Sequence, residues 1–178
     1  PHAFMGTMTP EERRRFLDAY RDRNNEFYSK PRSFKEVAEW KYQQYMHDYM
    51  RVIHSVDRNV GRVLDYMEKC GLLENTIIVY TSDQGFYMGE HGWFDKRFMY
   101  EESFRTPLII RYPAKIKAGS ECTALVQNID YAPTYLDIAG IEKPDYMVGT
   151  SLVPLFGGET PRDWREYLYY HYYDYPAI

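Results

Sequence analysis

The sequence predicts an α/β fold in which a mostly parallel sheet is flanked by helices, and three observations predict it. A long amphipathic helical pattern is followed at once by an unbroken apolar run at residues 76–81. A second run of this kind lies at residues 107–113. A short helical pattern follows that second run. Helices that alternate with fully apolar strands are typical of a parallel sheet that is covered on both faces.

The helices are predicted from capping signals and periodicity. Thr9-Pro10-Glu11-Glu12 combines an N-cap threonine, a proline at the first helical position and a glutamate that can close a capping box, which predicts a helix over about residues 10–23. A polar surface loop should follow at residues 24–32. Ser33-Phe34-Lys35-Glu36 is a second capping box, and it starts a long helix whose apolar side chains recur at three- and four-residue steps. Gly71 is the expected C-cap.

The strands are predicted from β-branched apolar runs without alternation. Residues 76–81 and 107–113 have this pattern. Asp130 is expected to cap a short helix over residues 131–139. The tyrosine-rich residues 165–173 are typical of a further strand, after which nothing completes a sheet.

Charge and hydropathy exclude two classes of protein. The chain has 178 residues, with 22 Lys plus Arg against 26 Asp plus Glu, so its net charge of −4 argues against nucleic acid as a partner. No apolar run approaches the roughly 18 residues that a membrane span needs. With 44% hydrophobic residues, the composition is that of a protein able to bury a core.

The first candidate site follows the first strand. In Ser82-Asp83-Gln84-Gly85, a carboxylate and an amide oxygen lie next to each other at the end of the strand. Adjacent hard oxygens of this kind suit Ca²⁺ or Mg²⁺, and Gly85 allows the backbone to turn sharply beside an ion. The alternative interpretation is an ordinary Asx turn at a strand end.

The second candidate site is the loop that follows. Residues 89–97 place imidazole, ammonium, guanidinium and carboxylate groups between glycines. A pair of cations beside a divalent ion is what a tetrahedral oxyanion such as sulfate or phosphate would need for charge stabilisation. For any single residue, the alternative is a solvated surface side chain.

The order of these motifs resembles the C-terminal part of the formylglycine-dependent sulfatases of the alkaline phosphatase superfamily. The resemblance covers nearly the whole chain and rests on Pro1-His2, residues 55–61, Tyr80-Thr81-Ser82-Asp83-Gln84-Gly85, Gly89-Glu90-His91-Gly92, Asp95-Lys96-Arg97 and Gly149-Thr150-Ser151-Leu152. It implies that the α/β fold is part of an alkaline-phosphatase-like sulfatase domain. Residues 1–164 would be the C-terminal portion of that catalytic domain, and residues 165–178 would begin a small C-terminal subdomain.

The resemblance implies a role for each motif residue. Asp83 and Gln84 would be two ligands of an active-site calcium ion, and Lys96 would bind the sulfate. His2 matches a Pro-His whose imidazole contacts the sulfate and the leaving oxygen, so it is the candidate general acid. In the complete enzyme, a hydrated aldehyde would attack sulfur while the histidine protonates the departing alcohol.

Three further residues are the substrate-binding candidates. Sulfatases of 6-sulfated N-acetylglucosamine have a similar Asp-Lys-Arg, in which the neighbours of the lysine help to hold the sugar. Asp95 and Arg97 are therefore assigned to substrate binding. His91 lies in the matching Gly-Glu-His-Gly and joins them. The implied substrate is a sulfated carbohydrate with a 6-sulfated glucosamine-type sugar.

One family motif is missing from the chain. The nucleophile is a cysteine in Cys-x-Pro/Ala-x-Arg that is oxidised to formylglycine, and neither Cys70 nor Cys122 lies in such a context. The chain is therefore expected to be a piece of a longer sulfatase and to be inactive alone. Family resemblance implies a periplasmic, secreted or lysosomal compartment.

Two other functions remain open. The first is a phosphonate or phosphate ester hydrolase of the same superfamily, because calcium and lysine do not separate sulfate from phosphate well. The second is a non-catalytic glycan-binding module derived from a sulfatase, in which the tyrosine-rich end would offer a carbohydrate-binding surface.

Overall fold

The computed structural model describes residues 5–170. The chain divides into two compact units, Pro1–Asp57 and Arg58–Ile178. In the described residues, the first unit is helical. The second contains the last turns of a long helix, short helices and two small antiparallel sheets. The predicted domain division after residue 164 stays a prediction.

The first unit begins with helix α1, Pro10–Tyr28. Its predicted capping box is confirmed: the Glu12 amide donates to the Thr9 hydroxyl, and the Glu12 carboxylate accepts from the Thr9 amide at 2.8 Å. The helix ends later than the loop prediction placed it. Tertiary contacts hold the residues near its end. The Trp40 indole N–H donates to Glu26 at 2.7 Å, and the Phe27 ring packs on that indole.

Helix α2, Phe34–Lys69, starts at the second predicted capping box and ends near the predicted C-cap. Gly71 has φ +67°, and the amide of Leu72 donates to the carbonyl of Met67 at 2.9 Å, as in a Schellman motif. The apolar stripe of the helix includes Val52 and Val63, which stay 62% and 58% exposed. Across the described residues, no helix combines the length and the apolar character that a membrane span requires.

The described part of the second unit, residues 58–170, contains two strand pairs. Strands β1, Ile78–Thr81, and β4, Leu108–Arg111, are antiparallel, with Ile78 opposite Arg111 and Thr81 opposite Leu108. Strands β2, Tyr87–Met88, and β3, Phe94–Asp95, form a short antiparallel hairpin. This hairpin lies in the connection between β1 and β4 and carries the second candidate site.

The prediction of a mostly parallel sheet is wrong for residues 5–170, where both pairings are antiparallel. A parallel connection needs a crossover, which is usually a helix of substantial length. The connection from β1 to β4 holds only the hairpin and the four-residue helix α3, Glu101–Phe104, so the chain returns in the opposite direction. The strands are also less covered than predicted, since Ile109 is 63% exposed.

The end of the chain differs from its prediction too. Helix α4 spans Tyr131–Ile138, close to the predicted bounds. Residues 165–170 form no strand, and residues 171–173 of the predicted strand lie outside the described residues. Side-chain contacts hold residues 165–170 in place instead of sheet pairing. The tyrosine-rich pattern alone does not distinguish these two arrangements.

The core of the second unit forms around Leu152, Leu155 and Phe156. Side chains from β4 pack against this cluster, among them Leu108 and Ile110. The burial of these apolar side chains removes them from water and joins the strand to the segment that follows α4.

The fully buried carboxylate of Asp130 connects three chain segments. It accepts hydrogen bonds from the amides of Gln127 and Thr150, both at 2.8 Å. The Arg165 guanidinium donates to both carboxylate oxygens, at 2.8 and 2.9 Å. The Asp130 carbonyl accepts from the Thr134 hydroxyl, which in turn accepts from the amide of Leu152 in the core. The sequence pattern predicted Asp130 as the cap of helix α4. It is the N-cap residue, but its side chain makes no capping hydrogen bond to that helix.

Replacing Asp130 tests this arrangement. Asp130→Ala would leave the Arg165 cation without its partner and two amides without acceptors, so we expect the free energy of unfolding of the intact protein to fall by about 3–5 kcal/mol. Urea titration measures it. Asp145→Ala is the control, because Asp145 is exposed. Equal urea midpoints for the two variants would contradict the prediction.

Candidate functional site

The first candidate site is a tight turn directly after β1. The Ser82 hydroxyl donates to the carbonyl of Gln84 at 2.9 Å, and the Asn128 side chain donates to the carbonyl of Asp83 at 3.3 Å. The Asp83 side chain is exposed and that of Gln84 is half-buried. Within residues 5–170, neither the carboxylate nor the side-chain amide forms a hydrogen bond or an ion pair. The turn therefore holds two oxygen donors whose bonding capacity is unused.

Gly85 brings this turn against helix α3. Its amide donates to the carbonyl of Ser103 at 2.8 Å, and the amide of Phe86 donates to the carbonyl of Glu102 at 2.6 Å. A Cβ atom on Gly85 would overlap the Glu102 carbonyl and lie 2.8 Å from the Ser103 carbonyl carbon. Only glycine allows the two backbones to approach this closely.

The hairpin that follows is anchored by Tyr87, which is fully buried. Its hydroxyl donates to the carbonyl of Phe98 at 2.8 Å, and burial raises the pKa of this phenol, so it stays a donor. At the hairpin turn, the Glu90 carboxylate accepts from the Met88 amide at 2.7 Å, which lowers the pKa of Glu90. These two contacts fix both ends of the loop that carries residues 91–97.

Three residues of this loop have an unusual backbone. His91, Asp95 and Arg97 have φ angles of +56°, +83° and +109°, and they are the non-glycine residues with positive φ in the part of the chain that the structure describes. Such conformations cost of order 1–3 kcal/mol each and persist only where the surroundings hold them. All three are the substrate-binding candidates predicted from the sequence motifs.

An aromatic cluster forms one side of the loop. The Trp93 and Phe98 rings stack with centroids 4.2 Å apart, and the Tyr87 ring meets the indole edge-on at 5.7 Å. The His91 ring stacks on Tyr100 at 4.4 Å, and its Nε2 lies 3.3 Å from a Glu102 carboxylate oxygen. His91 is thus oriented by an aromatic face and a carboxylate.

The charges around Lys96 are arranged so that its own is not neutralised. The flanking Asp95 and Arg97 form an ion pair with each other at 2.9 Å. Lys96 is half-buried, and its ammonium has no ion pair or hydrogen bond with any residue in the described range. A cation in this state can receive an anionic ligand without first breaking a contact within the protein.

Ser103 joins the two candidate sites. Its carbonyl accepts from the Gly85 amide, next to Gln84, and its hydroxyl accepts from the Arg97 amide at 3.0 Å, next to Lys96. Ser103 is buried, at 8% exposure. Sequence analysis missed it, because a serine in Glu-Glu-Ser-Phe carries no local signal of this role. His2, the candidate general acid, lies outside the described residues.

The turn offers some of the oxygen ligands that a calcium ion requires. Asp83 and Gln84 offer hard oxygen donors, which are the ligands that Ca²⁺ prefers. Among residues 5–170 there is no group of three or more His, Cys, Asp or Glu side chains placed to hold a metal ion. The two residues therefore fit part of a calcium site, and its other ligands would come from elsewhere.

Two family descriptions match the chain. Residues 89–178 match the family described as N-sulphoglucosamine sulphohydrolase, C-terminal. Residues 7–131 match a family described as a protein of unknown function, DUF229. The two matches overlap over residues 89–131, a stretch that includes Lys96.

Known proteins resemble the chain in sequence and in structure. It is 56% identical, over 96% of its length and 31% of the relative, to the N-acetylglucosamine-6-O-sulfatase of Bacteroides thetaiotaomicron. The structure of BT4656 in complex with its substrate D-glucosamine-2-N,6-O-disulfate matches with a TM-score of 0.86 and 55% identity, over 97% of this chain and 35% of that one. The phosphonate monoester hydrolase SpPMH from Silicibacter pomeroyi matches with a TM-score of 0.58 and 40% identity, over 62% of this chain and 22% of that one. The chain thus spans about a third or less of each.

The close approach at Gly85 can be tested by adding one methyl group. Gly85→Ala would force the turn away from helix α3, so we expect the intact protein to lose about 1–3 kcal/mol of unfolding free energy. Gly61→Ala is the matched control. Gly61 lies inside helix α2 with open space around it, so the same change there should stabilise the protein by about 0.5–1 kcal/mol. Urea titration compares them, and a shift in the same direction for both would contradict the assignment.

Proposed function

We propose that this chain, which belongs to the sulfatase family, forms part of an active site. The enzyme would hydrolyse the sulfate ester of a 6-sulfated glucosamine-type sugar. Two relatives support the substrate class: one is an N-acetylglucosamine-6-O-sulfatase, and one binds a 6-O-sulfated glucosamine. The nucleophile, a formylglycine, would come from a part of the enzyme outside this chain.

The observation that carries the proposal is the unneutralised charge of Lys96. Its neighbour Asp95 pairs with Arg97 at 2.9 Å and not with Lys96. This leaves the ammonium able to bind an equatorial sulfate oxygen and to stabilise the charge that develops there in the transition state. Half-burial strengthens that interaction, because less water screens it.

Asp83 and Gln84 are the proposed calcium ligands of this chain. Their side-chain oxygens have no partner within the described residues. The Gly85 amide donates to the Ser103 carbonyl at 2.8 Å, which holds their turn against helix α3. A calcium ion held by these residues would supply positive charge for a bound sulfate. The backbone hydrogen bonds that fix the turn would keep the two ligand residues in place.

The proposed sugar contacts come from the loop of residues 91–97, in which three residues have positive φ angles. Asp95, Arg97 and His91 are partly or fully exposed, and each lies within the segment whose backbone the hairpin holds in place. Polar side chains held rigidly can bind sugar hydroxyls with little further loss of entropy. His2 is the proposed general acid, which would protonate the leaving sugar oxygen.

A second candidate function is the hydrolysis of phosphonate or phosphate esters. It is favoured by the likeness to SpPMH, a phosphonate monoester hydrolase. A lysine and oxygen ligands for a cation serve either oxyanion. Rates on matched sulfate and phosphate esters of one sugar distinguish the two functions, and the sulfatase proposal requires the sulfate ester to react faster.

Removing the Lys96 ammonium tests the proposal directly. In the intact enzyme, Lys96→Ala should lower kcat/KM on glucosamine-6-sulfate by about 10²-fold or more, because the charge developing on the sulfate loses its partner. Lys117→Ala is the matched control, since Lys117 is an exposed lysine of the same unit. Near-wild-type turnover in Lys96→Ala would refute the proposed role.

Calcium dependence tests the other half of the site. Calcium should raise the melting temperature of the intact enzyme after treatment with a chelator, because a ligand that binds only the folded state stabilises it. This rise should be much smaller in Asp83→Ala and unchanged in the control Asp145→Ala. An equal rise in all three proteins would place calcium at a different site.

A further inference from the structure

The backbone of Arg97 is held at both of its peptide groups. Its φ of +109° is a conformation that residues with a side chain rarely adopt, so the surroundings must maintain it. The Arg97 amide donates to the buried Ser103 hydroxyl at 3.0 Å. The Arg97 carbonyl accepts from the Tyr170 hydroxyl at 2.6 Å. The residue directly after Lys96 is thus fixed from two sides.

Tyr170 reaches this position from a distant part of the chain. Its ring packs on Phe104 with centroids 4.4 Å apart, and Phe104 follows Ser103 in helix α3. Helix α3 therefore supports Arg97 both directly, through the serine hydroxyl, and indirectly, through the ring that carries the phenol.

The segment before Tyr170 is itself anchored. Arg165 donates to both oxygens of the buried Asp130 carboxylate. The Gln127 side chain donates to the carbonyl of Tyr169 at 3.4 Å. These contacts attach the segment to the region just before helix α4, and they thereby restrict the position of the Tyr170 side chain.

We propose that Tyr170 is a positioning residue: its hydroxyl holds the carbonyl of Arg97 and thereby sets the main chain from which the Lys96 ammonium reaches the sulfate. This inference rests on the proposed function of Lys96. Without the phenol hydroxyl, the peptide that Arg97 shares with Phe98 loses this donor, so Arg97 can leave its strained conformation and shift the main chain next to Lys96. A displacement of about 1 Å at a reacting group can cost 10²-fold in rate.

The test is Tyr170→Phe in the intact enzyme, which removes one oxygen and keeps the ring on Phe104. We expect kcat on glucosamine-6-sulfate to fall about tenfold or more, with a smaller change in KM. We also expect the dissociation constant of inorganic sulfate, measured by calorimetry, to rise. Tyr167→Phe is the matched control, since Tyr167 is 84% exposed. It should leave kcat and the dissociation constant of sulfate within about twofold of the wild-type values.

The sulfate measurement separates positioning from stability. A purely structural role would lower the melting temperature or the active fraction of Tyr170→Phe and leave the dissociation constant of sulfate unchanged, which would overturn the inference. If Lys96→Ala loses activity while Tyr170→Phe matches Tyr167→Phe, only this inference fails. If Lys96→Ala keeps wild-type activity, the proposed function fails and this inference fails with it.

Discussion

The buried carboxylate of Asp130 is the constraint on which the second unit depends. A charge without solvent is costly unless it is paired and hydrogen-bonded, and this one has two amides and a bidentate guanidinium. Its partners lie 3, 20 and 35 residues away. Satisfying one buried group therefore fixes the places of three otherwise irregular segments. Regular secondary structure contributes little here, since each of the two sheets within residues 58–170 has two strands.

That constraint extends to the candidate site through the segment that it anchors. Arg165 fixes the start of this segment, and Tyr170 ends it with a hydrogen bond to Arg97 at 2.6 Å. From the other side, Ser103 holds the same residue and also the turn at Gly85. Backbone strain next to Lys96 is maintained by ordinary hydrogen bonds, each worth about 1 kcal/mol net. Several of them act on one loop, so the sum can balance the cost of its conformation.

Local signals predicted the helices better than the sheets. Both capping boxes and the glycine C-cap were confirmed, because each depends on residues within a single turn of the chain. Helix α1 extends beyond its predicted end because Glu26 bonds to the Trp40 indole, a partner in the next helix. The parallel sheet was predicted wrongly for the same kind of reason. An apolar run indicates burial, whereas strand direction depends on the path of the connection.

The amino-acid sequence alone determined the features that depend on residue types at short spacing. These are the capped helices, the turn after β1, the family resemblance and the candidate residues Asp83, Gln84, His91, Asp95, Lys96 and Arg97. The tertiary structure decided which charges are neutralised. It paired Asp95 with Arg97, left Lys96 without a partner among the described residues, and brought Ser103 and Tyr170 to the loop. The Tyr170 contact spans 73 residues. Contacts at such separations arise from packing and burial of the whole unit, which no local pattern specifies.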